Sequence, residues 1–163
     1  RDASVEQLRE MMRALLSERF KLQVHRETRD LDGFELSRVN ASQLGPQIQV
    51  SRVKCSVEER IKGQSTSGSP CGVAFTAGNL RAGDITMAEL CEWLDTQVGG
   101  ILVDRTGAAG EYDLTLMWTP DLSASDTPSI FTALREQLGL KVERKKIPTE
   151  VLVYDSAERP TEN

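Results

Sequence analysis

A helix-length amphipathic stretch followed by two apolar-alternating stretches recurs three times along the chain, starting at Val5, Met87 and Ile130. The anchors keep step: Leu16 and Phe20 stand four apart, as do Leu94 and Val98, and Leu134 and Leu138. Each pair precedes a strand pattern, Leu22/Val24, Ile101/Val103 and Leu140/Val142. A partner strand follows in each case, Phe34/Leu36, then Tyr112/Leu114/Leu116, then Val151/Val153. The switch from a 3.6-residue period to a 2-residue period is what helix and strand backbones impose on a half-buried chain. The pattern predicts an α+β fold of three repeated helix–strand–strand units, with helices packed on one face of antiparallel or mixed sheets. It divides the chain into 1–40, an irregular loop segment 41–78, 79–120 and 121–163, one or two compact domains in all.

Local signals mark the element ends. Ser4 with Gln7 and Thr86 with Glu89 have the spacing of capping boxes, and Pro128 after Thr127 suits a first helical turn. In the first helix, Val5, Leu8, Met12, Leu15, Leu16 and Phe20 are expected to face the core. Reversals are expected at Asp32–Gly33, Thr106–Gly110 and Ile147–Pro148, each returning the chain within its own unit. Between units, Ile48, Val50 and Val53 allow a short strand, Val57–Ile61 a helical turn, and Asn79–Ile85 a further strand.

The 163 residues are 39% apolar and 28% charged, the balance of a soluble globular chain and not of a disordered one. A chain of this length buries about 70% of its unfolded surface. No apolar run approaches the roughly 20 residues that cross a bilayer. The net charge of −5 argues against nucleic acid, which demands concentrated Lys and Arg. Arg144–Lys145–Lys146 reads as a solvated strand end, or an edge guarded by Lys against stray pairing. The chain opens on Arg1 without an initiator Met, so an upstream part could hold an export signal or a further module.

The cysteines divide by context. Cys91 shares a helical face with Met87, Leu90, Leu94 and Val98 and is expected to be buried. Cys55 and Cys71 flank a polar Ser/Gly stretch, where a disulfide would contribute about 3 kcal/mol. Such a bond requires an oxidising compartment. A zinc site is the rival reading, but the chain has no CxxC and one His, so no metal is expected.

Several motifs taken together resemble one family. They are Arg19–Phe20–Lys21–Leu22 with His25–Arg26–Glu27–Thr28, Val103–Asp104–Arg105–Thr106–Gly107 with Gly110–Glu111–Tyr112–Asp113, Trp118–Thr119–Pro120, Glu136–Gln137–Leu138–Gly139–Leu140 and the tail from Glu158 to Asn163. The chain resembles an uncharacterised acidobacterial, soil-associated family built on a domain of unknown function, outside the loop between Gln43 and Gly72. The resemblance implies export, an extracytoplasmic (periplasmic or secreted) location, and in some members attachment to membrane metallopeptidases of the beta-lactamase-sensor type. Ala108–Ala109 is plainer than the bulkier turn usual in that family. At the level of pattern alone, a strand–helix–strand–strand unit with a Thr cap also resembles the small N-terminal interaction domains of secretins and TonB-dependent receptors.

Candidate chemistry is sparse. His25 could act as a general base, but it sits on the polar phase of a strand, where an exposed or hydrogen-bonded structural His is the simpler reading. Asp104 and Asp113 flank the Gly turn and could work as paired carboxylates, although turn stabilisation and an ion pair with Arg105 explain them as well. Arg105, Tyr112 and Trp118 are candidates for a recognition surface. Metalloprotease, P-loop, dinucleotide and nucleophile-elbow motifs are missing, and no cofactor is expected. The favoured reading is a non-catalytic extracytoplasmic domain binding a protein or cell-envelope ligand through a sheet face or edge, with a membrane-anchored fusion partner possible upstream. The alternatives are a hydrolase using His25 with Asp104 or Asp113, and a structural module of a larger envelope protein.

Overall fold

The computed structural model describes residues 4–66, 68–120 and 128–160. In chain order these form α1 (Val5–Phe20), β1 (Gln23–Arg38), β2 (Ile48–Val50), α2 (Val57–Lys62), β3 (Gly72–Thr76), β4 (Asn79–Ile85), α3 (Met87–Val98), β5 (Leu102–Asp104), β6 (Tyr112–Met117), α4 (Ile130–Gln137) and β7 (Leu140–Ser156). The strands make two sheets, one ordered β5-β1-β7 and one ordered β2-β6-β4-β3. The chain divides into two compact units, a terminal one of Arg1–Leu31 with Pro148–Asn163 and a central one of Asp32–Ile147. The boundary falls inside β1 and β7.

The α+β class holds, but the three helix–strand–strand units do not form. Where a turn was expected at Asp32–Gly33, β1 runs straight through as one strand of 16 residues. Gly33 serves close approach instead of reversal: a Cβ there would lie 2.8 Å from both the Ile101 carbonyl oxygen and the Ile147 side chain. The second pair of strands is split between sheets. β5 pairs in parallel with β1 through Phe34–Leu102 and Leu36–Asp104, whereas β6 pairs antiparallel with β4 and β2. Thr106–Gly110 is therefore a crossover between sheets and not a hairpin turn. The third reversal, at Ile147–Pro148, is also missing, because β7 continues for 17 residues. An edge strand tolerates Pro148, since a proline nitrogen directed away from the neighbouring strand forfeits no ladder bond. Arg144, Lys145 and Lys146 lie within that edge, all exposed, with Lys146 paired to Asp32 at 3.1 Å.

The core belongs to the central unit. In β6, Tyr112, Leu114 and Leu116 are buried while Asp113, Thr115 and Met117 are not, the alternation of a sheet with one covered face. α3 buries Met87, Leu90, Cys91, Leu94 and Val98, and α4 buries Ile130, Ala133 and Leu134. Both capping boxes form, Ser4 with Gln7 and Thr86 with Glu89, and a third closes on Ser56 and Glu59 to start α2. α4 starts from Ser129 as its N-cap, so Pro128 precedes the helix instead of entering it; Thr127 lies outside the described residues.

The disulfide Cys55–Cys71 is present, with Cα atoms 5.9 Å apart, and Cys91 is a buried free thiol pushed up to about 12 mainly by burial. The pinned segment clasps a bulge in β4, where Asp84 has φ 55°. Asp84 is buried; its Oδ2 accepts from the Cys55 backbone N–H at 2.9 Å and from Arg60 at 3.1 Å. Arg60 also reaches the Asp84 carbonyl at 2.5 Å and Glu89 at 3.2 Å. Next to the bulge, a Cβ on Gly83 would collide with the Pro70 carbonyl, so only glycine lets the segment lie this close.

Candidate binding surfaces of the terminal unit

The terminal unit combines α1 with the first part of β1 and the last part of β7. The capping box satisfies the first turn of α1, and Lys21, at φ 48°, ends it with its N–H bonded to the Leu16 carbonyl. His25 meets Asp155 and Arg26 meets Glu150, so rising numbers on β1 meet falling numbers on β7 and the strands run antiparallel.

None of the described residues of this unit is buried. The stripe expected to face the core is mostly solvent-facing: Leu8 is 53% exposed, Met12 58% and Leu15 50%, joined by Met11 at 63%. Leu16 and Phe20 alone among the described members of the stripe are half-buried. Successive helical residues turn by about 100°, so Leu16 and Phe20 share a face with Arg13 and Ser17, while Leu8, Met11, Met12 and Leu15 occupy another. β7 adds Leu152 and Tyr154, also well exposed.

The inner face of α1 lines a cleft of about 730 Å³ with Leu22, Val24, His25, Arg26, Leu152 and Asp155. His25 Nδ1 lies 2.9 Å from both Asp155 carboxylate oxygens, and Nε2 lies 3.7 Å from Glu27. The hydrogen bond to Asp155, reinforced by its charge, raises the His25 pKa above its ordinary value. Ser17 shares the cleft, but it makes no hydrogen bond with His25 among the described residues. The His25–Asp155 pair thus lacks the hydroxyl contact that an activated serine requires.

The other residues singled out by sequence lie in the central unit. Asp104 closes an Asx turn, its Oδ1 accepting from the Thr106 N–H at 2.8 Å. Arg105 pairs with Glu35 at 3.7 Å and not with Asp104. Asp113 Oδ1 accepts from the Asp84 N–H at 3.1 Å, and Asp104 and Asp113 stand in strands of different sheets. Tyr112 and Trp118 are core residues: the tyrosine hydroxyl donates to the Ala109 carbonyl, and Trp118 lies 5.8 Å from the Phe75 ring. Asp155, Arg13 and the Asp84–Arg60 clasp went unread in the sequence. Asp155 is two residues beyond Val153 on the same strand phase, but only the antiparallel register brings it to His25.

Among the described residues there is no cluster of three metal-ligating side chains, and no helix is long and apolar enough to cross a membrane. No curated protein and no solved structure matches the chain. Residues 1–157, nearly the whole sequence, match a family described as a protein of unknown function, DUF3738, and the chain belongs to that family.

Proposed function

We propose that the chain is a non-catalytic extracytoplasmic interaction domain whose terminal unit is its recognition part. The observation that carries this reading is the exposed apolar stripe of α1, Leu8, Met11, Met12 and Leu15. Their i, i+3, i+4, i+7 spacing is that of a helix laid into a hydrophobic groove of a protein partner. Methionine adapts its shape to such grooves at low cost. Contiguous apolar surface of this kind on a well-capped helix is uncommon unless something covers it. The disulfide supports placement outside the cytoplasm. The anchor is thus a helix face, where the sequence pointed to a sheet face or edge.

A photoreactive residue at Met12 tests the proposal, with another at exposed Met117 as control. In envelope material the Met12 probe is expected to give a discrete protein adduct that Leu8→Glu with Leu15→Glu removes. Adducts indifferent to those changes, or equal from both positions, contradict it.

A further inference from the structure

We infer that the cleft of the terminal unit binds a single-chain acyl carboxylate, its tail on Leu16, Leu22, Val24 and Leu152 and its anion on Arg13. The inference rests on the terminal unit being the recognition part, but it uses a different face of α1 from the stripe.

Size comes first. A volume of about 730 Å³ lies within the range of small-molecule sites, about 300–1,000 Å³. The walls are apolar and open, Val24 being 43% exposed and Leu152 66%. The charges then select the head group. Of three basic side chains in the lining, Arg26 is held by Glu150 at 2.6 Å and His25 by Asp155 at 2.9 Å. Arg13 has no ion pair or hydrogen bond with any described residue. Asp155, the lining's one carboxylate, is already engaged by His25. A cationic ligand therefore finds no free acid, and a neutral one leaves Arg13 unused. A carboxylate matches the planar guanidinium fork, and the apolar walls call for a hydrocarbon tail that inorganic anions lack.

The test titrates the full chain with decanoate, and separately with decyltrimethylammonium, below their micelle concentrations in low-salt buffer. Decanoate should bind saturably, with methyl NMR shifts at Leu16, Leu22, Val24 and Leu152, while the cation does not saturate. Arg13→Gln, a change at an exposed position, should weaken decanoate about tenfold, the scale of one charge-assisted hydrogen bond. Equal binding of both amphiphiles, indifference to Arg13→Gln, or shifts centred on Leu8 and Leu15 would overturn the inference. The Met12 adduct is read without decanoate, so failure here leaves the stripe reading standing, and failure there leaves this one.

Discussion

At the scale of single residues, the His25–Asp155 pair makes a pH-dependent statement. The folded imidazole holds its proton more tightly than the unfolded one. Its contribution to stability is therefore complete below about pH 6.5 and is lost as pH rises through the raised pKa. An NMR titration should place the His25 midpoint above 6.5, and Asp155→Asn should bring it down. A wild-type midpoint at or below 6.5 would contradict the pairing. Glu59 runs the other way. Backbone and side-chain hydrogen bonds from Ser56 and Thr66 lower its pKa to about 2, so the cap it provides holds above pH 4.5 and is lost as pH falls through about 2. Asp84 Oδ1 is buried and has no hydrogen-bond partner among the described residues. Arg60→Ala removes the Asp84 counter-ion, and chemical denaturation should report a loss of about 3 kcal/mol, as when one partner of a buried ion pair goes. A loss under half that would show that the clasp is not needed. These contacts join positions far apart in sequence, Asp84 to Arg60 and His25 to Asp155. No local pattern announces them.

At the scale of elements, caps and strand alternation were legible because both are written within a few residues. Ser4, Thr86 and the buried phase of β6 follow from local rules alone. Pairing was not legible. The same alternation serves a hairpin and a strand that joins another sheet, which is why β5 and β6 read as one unit and separate in the fold. Glycine and proline misled for a related reason: Gly33 answers a steric demand from Ile101 and Ile147, and Pro148 survives on an edge. The stripe of α1 read as core because periodicity shows which residues share a face, never what covers it. Paired substitutions separate the two cases. Leu8→Gln and Leu15→Gln should change stability by less than about 0.5 kcal/mol, as exposed positions do. Leu94→Ala and Leu116→Ala, both at fully buried positions, should each cost about 2–5 kcal/mol. Similar losses in both sets, by denaturant melts, would place the stripe in a core.

At the scale of the whole molecule, one unit holds the hydrophobic core and the other displays apolar surface, with β1 and β7 running from one into the other. The disulfide belongs to the first. Denatured, unreduced protein should show one free thiol, Cys91, and replacing Cys55 and Cys71 by Ser should cost about 3 kcal/mol. Three free thiols would remove both the staple and the argument for an oxidising compartment. Binding by the second unit depends on α1 being open to solvent when no partner is present. Mild peroxide oxidation of the native chain, read at each methionine by mass spectrometry, measures this directly. Met11 and Met12 should oxidise as readily as Met117, which is 53% exposed, while Met87, at 1%, stays protected. Protection of Met11 and Met12 equal to that of Met87 would mean that the helix face is buried, and the recognition surface would not exist.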